Sequence, residues 1–136
     1  MILISIIKAL IQGLSITLKH FFHKPITLRY PQEKRQPYER FRGAQQLLKD
    51  ENGRLKCVAC FLCATVCPVE CIRIEAGEDE EHRKYPVVFE IDLGRCIFCG
   101  LCEQACPKEA IRMSQEYELA DYERKDIKYD KERLTR

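Results

Sequence analysis

Nine cysteines stand in this 136-residue chain, and eight of them fall in two runs of the same spacing. "CVACFLCATVCP" (57–68) and "CIFCGLCEQACP" (96–107) both read C-x2-C-x2-C-x3-C-P. Two-residue gaps let one tight loop set three thiolates around three corners of a cube. The loop's N–H groups can then turn toward the sulfurs and offset their negative charge. In the bacterial two-cluster pattern the fourth cysteine of each run ligates the other cluster. The spacing therefore assigns Cys57, Cys60, Cys63 and Cys106 to one 4Fe–4S cluster, and Cys67, Cys96, Cys99 and Cys102 to a second. Zinc knuckles use C-x2-C pairs and would leave Cys63 and Cys102 without a role. A disulfide framework fits poorly. The cysteine count is odd, and no cleaved secretory signal is legible where Lys8 and Lys19 interrupt the apolar N-terminus. A reducing setting follows, where clustered cysteines bind metal.

The similarity extends past the cysteines. "CVACFLCATVCPVECIRI" (57–74) aligns without gaps to "CIFCGLCEQACPKEAIRM" (96–113), with nine of eighteen positions identical at an offset of 39. Two copies of one supersecondary unit should therefore face each other. The ninth cysteine, Cys71, aligns with Ala110 and has no counterpart. It reads as a small buried hydrophobe, with a redox-sensing thiol as the alternative. Proline suits the first position of a helix, so short helices are expected to begin at Pro68 and Pro107. Glu70 and Glu109 would lie in their first turns as dipole-favoured caps, not catalytic acids. Val58, Leu62, Val66, Ile72, Ile97, Phe98, Leu101 and Ile111 are expected to wall the clusters. His20, His23 and His82 lie outside both runs and read as solvated or interfacial.

Other segments must position this core, and charge separates them. Residues 1–56 carry 11 Lys/Arg against 4 Asp/Glu, whereas residues 57–113 carry 6 against 10. In residues 1–22, Ser5, Lys8, Gln12, Ser15 and Lys19 recur at steps of 3 and 4 and form one polar stripe on an otherwise apolar helix. The longest charge-free stretch, Ala9 to Leu18, is short of the roughly 20 residues that span a bilayer. The pattern predicts an amphipathic helix in the membrane interface, lysines level with the headgroups, or one laid against a protein partner. Residues 23–56 form a basic arm. Pro25, Pro31 and Pro37 rule out a long helix there, and its interleaved aromatics match no nucleic-acid module. An extended arm across a partner is expected, with "GAQQLLKDENG" (43–53) as a short helix ending near Gly53. Residues 57–113 form the two-cluster domain. Inside it an acidic stretch reads as a solvated loop, and "VVFEID" (87–92) reads as a strand. Residues 114–136 are left as a C-terminal partner-binding tail.

Taken with its flanks, the chain resembles the subunit I family of proton-pumping NADH:quinone oxidoreductase, respiratory complex I. The likeness rests on the N-terminal helix, "RFRG" (40–43), "CVACFLCATVCPVECI", "RCIFCGLCEQACPKEAI" and "YELADYERKDIKYDKERL" (117–134). It covers nearly the whole chain. The resemblance implies an α+β, ferredoxin-like fold with two pseudo-symmetric halves sharing a small sheet. It implies the same eight cysteines as ligands of two 4Fe–4S clusters. It also implies an electron-relay subunit of the translocase, passing single electrons toward a terminal cluster and quinone. Its partners would be other subunits of the peripheral arm and the quinone-site membrane subunit. Its place would be peripheral, at the cytoplasmic face of the bacterial inner membrane. No dinucleotide loop, nucleophile–base pair or open metal site is legible, so no activity is expected of the chain alone. The equivalent subunit of a membrane-bound hydrogenase or ferredoxin-dependent complex, or a free two-cluster ferredoxin, are the alternatives.

Overall fold

The computed structural model describes residues 2–135. The chain divides into two compact units, one ending at Gln36 and the other beginning at Pro37. In the first unit, helix α1 spans Ile2–Phe21. No proline interrupts it, and it stops ahead of Pro25, whose ring disfavours helical backbone in the residue before it. Thr17 Oγ1 donates back to the Leu14 carbonyl at 2.9 Å, so the hydroxyl is satisfied locally. None of the helix is buried. By length and composition α1 is apolar enough to cross a membrane, a test that averages over Lys8 and Lys19. The longest charge-free stretch gave the opposite expectation because it stops at each lysine.

The second unit is built from two small antiparallel sheets. Strand β1 (Gln45–Leu47) pairs with β4 (Ile111–Met113). Strands β2 (Ile72–Glu78) and β3 (Lys84–Asp92) form a hairpin, and β5 (Lys128–Tyr129) adds to β3. The fold is thus α+β with a pseudo-two-fold repeat, as expected, but the halves do not share one sheet. The segment expected to be a helix over residues 43–53 is β1 and a turn. Gln45 pairs with Met113 and Leu47 with Ile111. Tertiary pairing with β4 overrides the modest helix propensity of "AQQLLK". Gly43 is needed beside it, since a Cβ there would sit 2.1 Å from the Glu116 carbonyl oxygen.

The acidic loop is shorter than its composition suggested. Strand runs to Glu78 and resumes at Lys84, leaving a turn closed by Asp79, whose carboxylate accepts from the Arg83 amide at 2.8 Å. VVFEID lies within β3, as expected. Alternating residues of the hairpin turn inward: Phe89 and Ile91 are fully buried, along with Pro86 and Leu134. Leu134 comes from helix α4 (Lys131–Leu134), capped where Asp130 accepts from the Arg133 amide at 2.8 Å. Residues 37–56 and most of 114–135 therefore fold onto the cysteine core, and the structural boundary falls at Pro37.

The two halves are related through their pairings. Ile111 and Ile72 are equivalent by the sequence repeat. Ile111 pairs with Leu47 and Ile72 pairs with Ile91. Likewise Met113 pairs with Gln45, and its equivalent Ile74 pairs with Phe89. The fold thereby matches Leu47 to Ile91 and Gln45 to Phe89, two correspondences that the repeat alignment at an offset of 39 does not contain.

Candidate metal centres

Each cysteine run folds as a loop with backbone in the left-handed region. Ala59 and Phe98, Phe61 and Gly100, and Glu70 and Glu109 all have positive φ, and they form three repeat-equivalent pairs. Non-glycine residues in that region cost on the order of 1–3 kcal/mol each, and such strain gathers at functional sites. Here it turns backbone N–H groups toward sulfur. The Phe98 amide donates to Cys96 Sγ at 3.4 Å, and the Ala110 amide donates to Cys106 Sγ at 3.2 Å.

The helices expected at Pro68 and Pro107 do not form. A turn follows each proline, and the left-handed Glu70 and Glu109 stop any helix there. Their carboxylates therefore cap nothing of the kind expected. The short helices lie earlier, as α2 (Leu62–Thr65) and α3 (Leu101–Gln104), and carry the buried third cysteines, Cys63 and Cys102. The proline cue misled because proline suits a turn as well as a helix start.

Two cavities result. The first is lined by Cys57, Cys60, Cys63 and Cys106, with Leu47, Val58, Phe61, Ile74, Phe89, Ala110 and Ile111 as its apolar wall and Lys108 at one edge. The second is lined by Cys67, Cys96, Cys99 and Cys102, with Cys71, Gln45, Pro68, Val69, Ile72, Ile97 and Leu101. Each cavity thus gathers three cysteines of one run and the fourth of the other. Of the eight expected wall residues, Val58, Ile72, Ile97, Leu101 and Ile111 line a cavity. Phe98 packs against the core instead, Leu62 is exposed, and Val66 is half-buried and lines neither cavity. Sequence reading missed Leu47, Ile74, Phe89 and Gln45, which reach the cavities from strands. His82 is 90% exposed and pairs with Glu78 at 2.9 Å, away from both cavities.

Burial raises three of the eight thiols. It pushes Cys63 up to about 12 and Cys102 up to about 11, and it raises Cys57. Cys67 differs. Burial pushes it up, but the Cys71, Val69 and Glu70 amides together outweigh burial and hold it below the ordinary thiol value. Its sulfur lies 3.5 Å from Cys71 Sγ, and burial raises the Cys71 thiol strongly. Cys71 is only 7% exposed, as expected of a small hydrophobe, but it also faces the second cavity.

Among the described residues, no three His, Cys, Asp or Glu side chains converge closely enough to hold a single metal ion. Four thiols line each of the two cavities, the donor set that a 4Fe–4S cluster takes. Residues 56–132 match the family model of the 4Fe-4S dicluster domain. Over 128 residues the chain is 55% identical to NADH-quinone oxidoreductase subunit I 2 of Geobacter metallireducens, covering 94% of this chain and 97% of that protein.

The chain belongs to the NADH-quinone oxidoreductase subunit I family. It carries two 4Fe–4S clusters. Subunit I 1 of Geobacter sulfurreducens is 56% identical over 128 residues, 94% of this chain and 96% of the relative. Among solved structures, a chain of the membrane-bound sulfane sulfur reductase, an archaeal respiratory membrane complex, superposes with a TM-score of 0.57 at 31% identity. That match covers 81% of this subunit I chain and 55% of the archaeal one, so the chain spans about half of its length.

Proposed function

We propose that Cys57, Cys60, Cys63 and Cys106 hold one cluster and Cys67, Cys96, Cys99 and Cys102 the other, and that the chain serves as the electron-relay subunit of an NADH:quinone oxidoreductase. The observation that carries this reading is the exchange of fourth cysteines between the two cavities. A 4Fe–4S cluster bound in each cavity supplies a one-electron donor and acceptor. The chain's own work is to hold and insulate it. Strained loop backbone presents N–H groups to the sulfurs, and Phe89, Ile111 and Leu47 keep water from the inner wall of the first cavity. In this reading the subunit contributes no catalytic group of its own.

The relatives are subunits of a membrane-associated enzyme complex, and α1 supports attachment there. Its polar stripe suits a helix lying in the interface, and its lysines suit headgroup level. In this reading α1 runs along the quinone-site membrane subunit at the cytoplasmic face. The segments beyond the core contact other peripheral-arm subunits. The likeness to the archaeal sulfane sulfur reductase chain favours a second reading, in which a related complex takes electrons from a donor other than NADH.

The test is affinity purification of the full-length subunit from solubilised membranes. Co-purification with an NADH-binding subunit, and two reduced-state EPR signals that titrate separately, are expected. A complex without that subunit would establish the second reading, and a single signal would refute the cluster assignment.

A further inference from the structure

The two cavities carry the same cysteines and different walls. The strand pairings match Gln45 to Phe89, and the repeat matches Cys71 to Ala110. At these two places the first cavity has a phenyl ring and a methyl group, and the second has a carboxamide and a thiol. Gln45 is 3% exposed, and its Nε2 donates to Cys96 Sγ at 3.2 Å. Its Oε1 is buried without a hydrogen-bond partner. A half-satisfied buried amide costs free energy, because a desolvated acceptor is left unpaired. Among the described residues, the one hydrogen bond of this side chain goes to a cysteine sulfur.

A reduced cluster carries one more negative charge than an oxidised one, and much of that charge rests on sulfur. A donor aimed at a ligand sulfur therefore favours the reduced state and raises the reduction potential. An apolar ring in the same place offers nothing comparable. We infer that Gln45 raises the potential of the cluster at Cys96 and biases an electron shared between the two sites toward the second. The inference rests on the ligand assignment proposed above. Cys71 acts in the same direction and more weakly, because a thiol is a poor donor and its sulfur lies 3.5 Å from Cys67 Sγ.

Nearby charges do not reproduce the asymmetry. Lys108 edges the first cavity, and Arg42 reaches the second loop by donating from Nη1 to the Cys99 carbonyl. Both side chains are exposed, so solvent screens each. Backbone amides reach ligand sulfurs at both sites, while the second alone has a buried side-chain carboxamide on one.

The experiment is a redox titration by EPR of the full-length subunit carrying both clusters. Gln45→Leu should shift the second signal to lower potential and leave the first in place. Gln45→Asn, which keeps the amide, should shift it less, and Cys71→Ala should give a smaller downward shift. A purely structural role would move both signals or neither, and either result would overturn the inference. Protein with isotope-labelled glutamine side-chain nitrogen gives a readout without substitution. Coupling of that nitrogen to the reduced second cluster is expected, and absence of the coupling would overturn the inference even where Gln45→Leu fails to load. Wild-type iron content and the presence of two signals are measured first. Their failure would count against the ligand assignment and not against the role of Gln45.

Discussion

The first and second cysteine loops agree at every left-handed backbone position, while the strands behind them differ. Ala59 matches Phe98, Phe61 matches Gly100 and Glu70 matches Glu109, each pair with nearly the same φ apart from Phe61 and Gly100. The residues behind the loops do not match: Phe89 against Gln45 in the strands, and Ala110 against Cys71 just ahead of them. Three thiolates and their N–H partners leave the loop few conformations, so both halves keep one geometry. The wall behind it needs only to fill space, and there the halves have diverged.

Removing a crossing cysteine breaks the comparison most sharply. Cys106→Ala should empty the first cavity of its cluster, because Ala110 offers no replacement thiol nearby. Half the iron should be lost, and the surviving EPR signal should be that of the second site. Retention of both signals would show that the fourth cysteines do not cross between halves.

The next largest difference lies in the walls. Phe89 is 1% exposed at the centre of the larger sheet. Phe89→Ala should destabilise the protein by about 3–5 kcal/mol, the usual cost of emptying a buried phenyl site. At the matching place Gln45→Leu should be neutral or stabilising by about 1–2 kcal/mol, since it removes an unpaired buried acceptor. Chemical denaturation of the two variants under identical conditions checks this. A large loss from Gln45→Leu would mean that the amide has a structural partner.

Protons give a smaller contrast. Burial raises Cys57 and Cys63 on the first side, whereas the second side has raised Cys102 and lowered Cys67. Each protonated thiol must release its proton to bind iron, so loading strengthens as pH rises. Iron loading of the first site should rise more steeply between about pH 7 and about pH 9. On acidification the first site should lose its iron earlier. In the unloaded chain the sign is opposite. A raised thiol favours the fold below its ordinary value, and that contribution fades as pH rises through about 11 for Cys102 and about 12 for Cys63. EPR of each signal against loading pH checks the order.

Much of this was legible before any coordinates. The cysteine spacing and the repeat placed the eight thiols in two groups, and the structure gathers the same groups around two cavities. β-branched and aromatic residues marked "VVFEID" as strand. What stayed hidden depended on partners distant in sequence. β1 is a strand only because β4 lies beside it, 68 residues later at the Gln45–Met113 pair. The equivalence of Gln45 and Phe89 exists only in the pairings, because the link from strand to first cysteine differs in length between halves. The prolines after Cys67 and Cys106 were compatible with helix and turn alike, and the demand for N–H groups at sulfur decided for the turn.

The finest test concerns Cys71, the one thiol that the repeat leaves over. It lies in the second cavity, 3.5 Å from Cys67 Sγ, where the first cavity has Ala110. If four other thiols hold the cluster, Cys71→Ala should keep all the iron and both signals. Its stability cost should be about 1 kcal/mol, that of trimming one small buried group. The same closeness makes Cys71 a reserve ligand. Cys67→Ala should then retain more iron at the second site than Cys106→Ala retains at the first. Adding Cys71→Ala to Cys67→Ala should abolish the difference, leaving each half equally empty after loss of its crossing cysteine. Iron content and EPR of the four variants measure this directly. Loss of the second signal from Cys71→Ala alone would make Cys71 a ligand and remove Cys67 from the set. Equal losses from Cys67→Ala and Cys106→Ala would leave Cys71 as a packing residue only.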